Sequence, residues 1–229
     1  MKWRSLDEQT DSEKGMPLRL RLEERRAMIR QYVPAETQAV SARTIETLRQ
    51  SGIAHRALAV GATAPAFTLP DQDDRAVSNS ELLKTAKLVI VFFRGRWCPF
   101  CVAQLEAMNE ALPAIQQAGG ALVAISPQTV KQNFFMHDQH KLAFPLLSDS
   151  GNAAARQFGL AYRLPDEQKA VYQRTFVNLP FINGDSSWDL PLAATYVLHQ
   201  DGRVIWRALS ADYTERPEPE EIVRAICLE

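Results

Sequence analysis

Three cysteines in 229 residues are too few for the disulfide framework of a small secreted domain. A reducing cytoplasm is therefore the expected setting, in which a thiol pair would be cyclically oxidised and re-reduced. No apolar stretch approaches the length needed to span a bilayer. The opening Met1-Lys-Trp-Arg-Ser-Leu-Asp-Glu-Gln-Thr has no apolar core and does not read as a signal peptide. Neither sign of charge is in excess, with 26 Lys and Arg against 27 Asp and Glu. That balance gives no electrostatic case for nucleic acid or an anionic membrane as partner. Internal repeats and low-complexity tracts are also absent. The length suffices for one full domain core with an extension.

What is present centres on Leu88-Val-Ile-Val-Phe-Phe-Arg-Gly-Arg-Trp-Cys98-Pro-Phe-Cys101. The apolar run does not alternate, which suits a strand covered on both faces, as in a parallel sheet. A short basic turn follows, and then Val102, Leu105, Met108, Leu112 and Ile115 recur at helical spacing. The reading is strand, tight turn, and a helix whose first turn carries both thiols. With Cys98 as N-cap, Pro99 falls at the first helical position, where its missing N–H costs nothing. The Cys101 N–H is then expected to point back at the Cys98 sulfur. A thiolate there feels the positive end of the helix dipole, with Arg94 and Arg96 nearby in sequence. Such settings bring a cysteine pKa from about 8.5 to roughly 3.5–7.5. Cys98 is the expected exposed, acidic nucleophile, and Cys101 the expected buried resolving thiol.

Two other readings of the pair were open. A structural zinc site needs about four ligands; Cys227 is far away in sequence, and nothing places His137 and His140 near Cys98. Inert core thiols fit poorly with Trp-Cys-Pro-Phe-Cys after a strand and opening a helix, which is a redox context.

This turn resembles the active-site turn of the thioredoxin superfamily, and its surroundings resemble the peroxiredoxin-like branch of the alkyl hydroperoxide reductase/thiol-specific antioxidant family. The matching pieces are Val60-Gly-Ala-Thr-Ala-Pro-Ala-Phe-Thr-Leu-Pro70, Phe93-Arg-Gly-Arg-Trp-Cys-Pro-Phe-Cys101, Leu122-Val-Ala-Ile-Ser-Pro-Gln128, Phe144-Pro-Leu-Leu-Ser-Asp149 and Ala194-Thr-Tyr-Val-Leu before Asp201-Gly202. They run in order over about residues 60–225. The resemblance implies a thioredoxin-like, three-layer α/β sandwich spanning 58–229, with a tail and helical extension over 1–57. It implies reduction of hydroperoxides through a Cys98–Cys101 dithiol/disulfide cycle, recycled by a thioredoxin- or glutathione-type reductant and needing no bound cofactor or metal. Arg94 and Arg96 join the cysteines as candidate catalytic residues, and Trp97, Pro99, Phe100 and Pro191 are candidate substrate contacts. The chain departs from the family pattern at three places. Gly95 stands where a Thr or Ser donor is usual, and Ala193 where a distant strand supplies Arg. Ala193 also occupies the place expected of the cis-proline, for which Pro191 is the nearest candidate. The rival functions are a general disulfide oxidoreductase and a redox-sensing domain.

Along the rest of the chain, residues 1–17 read as a loosely ordered polar tail. Two helices follow over 18–57, interrupted at Pro34, as an arm that packs on the domain or pairs with a second copy as a homodimer. A hairpin is expected around residues 70–74 and a capping box at Ser78-Asn-Ser-Glu81. Pro113 should bend the redox helix or end it early. His137 and His140 read as a solvated helix face and His199 as a turn residue. Residues 162–188 show no regular pattern, an irregular stretch beside the redox turn. Cys227 reads as a packing residue on a terminal helix, with intermolecular pairing or a second resolving role left open.

Overall fold

The computed structural model describes residues 13–227. Three helices come first among the described residues: α1 (Leu18–Tyr32), α2 (Ala35–Ser51) and the short α3 (Ile53–Arg56). Pro34 separates the first two, and Gly52, at φ +68°, ends the second. The hairpin β1 (Thr68–Pro70) and β2 (Ala76–Ser78) leads through α4 (Asn79–Leu82) to the central strand β3 (Lys87–Phe92). The redox helix α5 (Pro99–Gln117) follows, then β4 (Gly120–Ser126), α6 (Val130–Gln139) and β5 (Leu146–Ser148). A 3-10 turn leads to α7 (Ala153–Gln157), and β6 (Ala161–Arg163), α8 (Asp166–Arg174), α9 (Leu179–Asn183) and β7 (Asp189–Pro191) come next. The chain closes with β8 (Ala194–Leu198), β9 (Val204–Leu209) and α10 (Pro219–Ile226).

The main sheet runs β5-β4-β3-β8-β9. Its first three strands are mutually parallel, and β8 and β9 add antiparallel. Because β3 is central, side chains on both of its faces are buried, and the two faces feed different cores. Val89 and Val91 pack with α1, α5, Met136 of α6 and α10. Leu88, Ile90 and Phe92 pack on the opposite side with Leu48, Ile53, Leu83 and Phe158. This is the expected three-layer α/β sandwich, with the N-terminal helices split between its layers.

The first two helices pack on this chain's own domain. Leu18 and Leu22 of α1 enter the core shared with α5, and Val40 of α2 packs against α8. The expected loose tail lies outside the described residues up to position 12. From Glu13 onward the chain is tied down, its carboxylate accepting two bonds from Arg25 at 2.6 and 2.8 Å.

Several expectations need correction. Helix α5 continues past Pro113 without ending, with Leu112 and Ile115 buried on either side of it; packing outweighs the lost hydrogen bond. Ser78 precedes α4 without a side-chain cap, its hydroxyl lying 2.7 Å from Ser80 Oγ while Glu81 pairs with Lys84. Residues 162–188 are not irregular. Leu164, Val171, Tyr172, Leu179 and Leu190 build a small core of their own with Val40, partly covered by Trp97. His140 is not solvated either: its Nδ1 lies 2.9 Å from Glu106 Oε1 of α5, both side chains being buried. Cys227 is exposed rather than packed. No helix among the described residues is long and apolar enough to cross a membrane.

Candidate active site

The redox turn forms as its residue types dictate. Cys98, with extended backbone, is the N-cap of α5 and Pro99 holds the first helical position. The first helical N–H groups do not reach the sulfur: those of Cys101 and Val102 donate to the Cys98 carbonyl at 3.0 and 3.1 Å. The Cys98 side chain turns inward, and its sulfur lies 2.9 Å from that of Cys101.

Both thiols are buried, at 1% and 0% exposure, so the expected contrast of exposed and buried sulfur is not found. Arg94 Nη1 lies 3.9 Å from Cys98 Sγ, and Arg216 Nη2 lies 3.4 Å from Cys101 Sγ. Burial pushes the Cys98 thiol well up, and the adjoining Cys101 adds to the rise. Burial also works against ionisation of Cys101. There the hydrogen bond with Cys98, the Arg216 and Arg94 guanidiniums and the Arg94 backbone N–H outweigh it and bring Cys101 down to about 5. Both shifts favour a thiolate on Cys101 over one on Cys98, the reverse of the acidity expected from sequence. The cause is spatial: Cys101 has the closer cation as well as a backbone donor.

Arg94 is itself 2% exposed. Its Nη2 donates to the Tyr172 hydroxyl, and its guanidinium lies 4.7 Å from the Trp97 ring centroid and 4.1 Å from that of Tyr213. Burial opposes its charge, but Tyr172, Tyr162 and Cys98 outweigh this and hold it firmly protonated. Trp97 in turn packs tilted against Tyr172, with ring centroids 5.0 Å apart. Arg94 Nε and Trp97 Nε1 are buried without a hydrogen-bond partner among the described residues.

The other sequence candidates divide. Arg96 faces away from the sulfurs in its bonding: its Nε donates to Gln132 Oε1 and its backbone N–H to Gln128 Oε1, both at 2.8 Å. Phe100, 1% exposed, packs edge-on against Tyr213; it is a core residue rather than a substrate contact. Pro191 lies in β7, which pairs with β6 and not with the main sheet, and no peptide bond among the described residues is cis.

Two departures from the resembled pattern acquire physical reasons. At Gly95, φ is +145°, and an added Cβ would meet Trp97 Nε1 at 2.5 Å and Gln128 Oε1 at 3.2 Å. The indole thus excludes any Thr or Ser from that position. Ala193 lines a cleft of about 160 Å³ together with Thr195 and Arg216. Arg216 went unnoticed in the sequence because it lies in a Pro- and Glu-rich connection more than a hundred residues from Cys101, without a local pattern. Gln104 gave a weak signal: a polar residue on the apolar side of α5, one turn beyond Cys101.

A family model described as the AhpC/TSA family matches residues 60–207. Peroxiredoxin Q, chloroplastic, of Oryza sativa subsp. japonica is 34% identical over 121 residues, 51% of this chain and 55% of that protein. A peroxiredoxin Q from Sedum lineare is 34% identical over 44% of this chain and 53% of its own length. The chain thus spans about half the length of these curated relatives. Among solved structures, peroxidoxin BcpB from Mycobacterium tuberculosis aligns with a TM-score of 0.58 at 20% identity, over 73% of this chain and 95% of its own. Peroxiredoxin 6 of Arenicola marina aligns at 0.60 and 16%, over 74% and 72%. At these identities the structural likeness is one of fold, the peroxiredoxin form of the thioredoxin fold.

Proposed function

The chain belongs to the AhpC/TSA family, and on that premise we propose that it is a thiol peroxidase reducing hydroperoxides through a Cys98–Cys101 dithiol/disulfide cycle. The observation that carries the reading is the buried sulfur pair, 2.9 Å apart, facing two guanidiniums. Among the described residues, none of the hydrogen bonds of Arg94 or Arg216 goes to a carboxylate. Their charge is left to stabilise a thiolate and the oxyanion that forms as an O–O bond breaks. The unpartnered Arg94 Nε and Trp97 Nε1 are further donors beside the pair.

In this cycle the Cys98 sulfur attacks one peroxide oxygen, and the other leaves as alkoxide or hydroxide. Cys98 becomes a sulfenic acid, Cys101 condenses with it to a disulfide, and water is released. A dithiol reductant of thioredoxin type, or glutathione, restores both thiols by exchange through a mixed disulfide. That leg suits a reducing compartment such as the cytoplasm. It also requires local opening around Trp97 and Tyr172, since neither sulfur is accessible in the closed form.

The same burial favours a small peroxide over the disulfide of a folded protein as the oxidising substrate. The test is an initial-rate comparison with one reductant: hydrogen peroxide and an organic hydroperoxide against a protein disulfide. Rapid oxidation by peroxide with slow disulfide exchange is expected. Peroxide reacting no faster than with a free thiol of the same pKa, alongside rapid disulfide exchange, would transfer the assignment to a general disulfide oxidoreductase.

A further inference from the structure

The connection from β9 to α10 brings Arg216 to the sulfur pair and fixes it there. Its Nε donates to Gln104 Oε1 at 2.6 Å, and Nη1 donates to the carbonyls of Tyr213 and Glu215, each at 2.7 Å. Nη2 is left for Cys101 Sγ at 3.4 Å. Gln104 is 1% exposed, and its own amide donates to Thr195 Oγ1 of β8 at 3.2 Å. Strand, helix and connection therefore aim one guanidinium at one sulfur. A buried charge is costly unless paired, and Cys101, at 0% exposure, has this cation against its sulfur.

We propose that Arg216, positioned by Gln104, keeps the resting negative charge of the pair on Cys101, which then acts first as the base for Cys98 and afterwards as the resolving nucleophile. The assignment rests on the dithiol cycle above. Across the 2.9 Å contact, Cys101 takes the Cys98 proton as the Cys98 sulfur attacks the peroxide. The S–O bond forms, the O–O bond breaks with its electron pair on the leaving oxygen, and that oxygen receives the proton from Cys101. Cys101, again a thiolate beside Arg216, attacks the sulfenic sulfur. The S–S bond forms, the S–O bond breaks, and the departing hydroxide takes a solvent proton to become water. The peroxide is reduced by two electrons, and the dithiol is oxidised to the disulfide.

The experiment is single-turnover oxidation of the reduced Cys227→Ser protein by hydrogen peroxide with dimedone present. Mass spectrometry reads the Cys98 adduct and the Cys98–Cys101 disulfide, and circular dichroism checks folding. Arg216→Met should slow disulfide closure about tenfold or more, the usual effect of losing a charge-assisted hydrogen bond, and the adduct should accumulate. Arg216→Lys should recover part of the rate, and Gln104→Leu should fall between. In a Cys101→Ser background, Arg216→Met should slow Cys98 oxidation far less than it slows closure, because the sulfur it lies against is gone. A folded Arg216→Met protein that closes at the wild-type rate without adduct would overturn the assignment, as would an equal effect in the Cys101→Ser background. If Arg216→Met does not fold, wild-type closure in both Arg216→Lys and Gln104→Leu overturns it equally. Peroxide turnover persisting in Cys98→Ser would instead overturn the dithiol cycle itself, whatever Arg216 does.

Discussion

Helix α5 touches two sets of buried arginines with opposite surroundings. Near its middle, Arg21 of α1 donates to Glu110 at 2.6 Å, and Arg25 pairs with Glu13 through two bonds. At its N-terminus, Arg94 and Arg216 face sulfur, phenol, amide and backbone oxygen, with aromatic rings on Arg94. A buried cation closed off by a carboxylate ties elements together but has no charge left to give. A buried cation without one keeps its field for whatever negative group forms beside it. The first arrangement anchors α1, and the second makes two adjacent thiols share a charge.

The two sets separate most clearly when the sulfur is removed. Cys98→Ser should abolish peroxide turnover in a coupled reductant assay, while leaving the Arg25–Glu13 pair and the melting of α1 as they are. Next, Arg94→Met should slow oxidation of the reduced protein by about a hundredfold in stopped flow, the usual scale for losing an oriented donor at a developing oxyanion. A loss below threefold would mean that the aromatic cage, not the sulfur, uses the Arg94 charge. At the other set, Arg25→Met should cost about 3 kcal/mol in denaturant unfolding, because Glu13 is left buried and unpaired. Its peroxide rate should stay within twofold of wild type; a large fall would erase the distinction between the two sets. Smallest of all, Arg96→Met should change the oxidation rate by less than about threefold, as its guanidinium donates to Gln132 rather than to either sulfur.

Much of this arrangement was legible in the residues. The unbroken apolar run at Leu88–Phe93 identified a strand buried on both faces, and Cys98-Pro-Phe-Cys101 identified the helix start and the redox chemistry. Both signals are local, since a strand pattern or a cap is set within a few residues. The order of the two acidities was not legible. It depends on Arg216, brought from the far end of the chain, and on the inward turn of Cys98 away from the helix N–H groups. The cap over the turn was hidden for a similar reason. Leu164, Val171 and Leu179 lie in short segments interrupted at Pro165 and Pro180, too short to show a period, and complete their core with Val40 and Leu190. The glycine at position 95 was visible as a departure, but its cause, the indole two residues on, is a matter of space.

The sulfur pair should hold one charge at neutral pH, because the two cations beside it have no carboxylate partner among the described residues. Cys101, at about 5, should lose its charge only as the pH falls through that value, while the raised Cys98 should ionise only in strong alkali. Thiolate absorbance of the reduced Cys227→Ser protein near 240 nm measures this directly. The expected result is one thiolate persisting from neutral pH down to about 5, with a second appearing only in strong alkali. Two thiols that remain protonated at neutral pH and titrate together above pH 8 would contradict it.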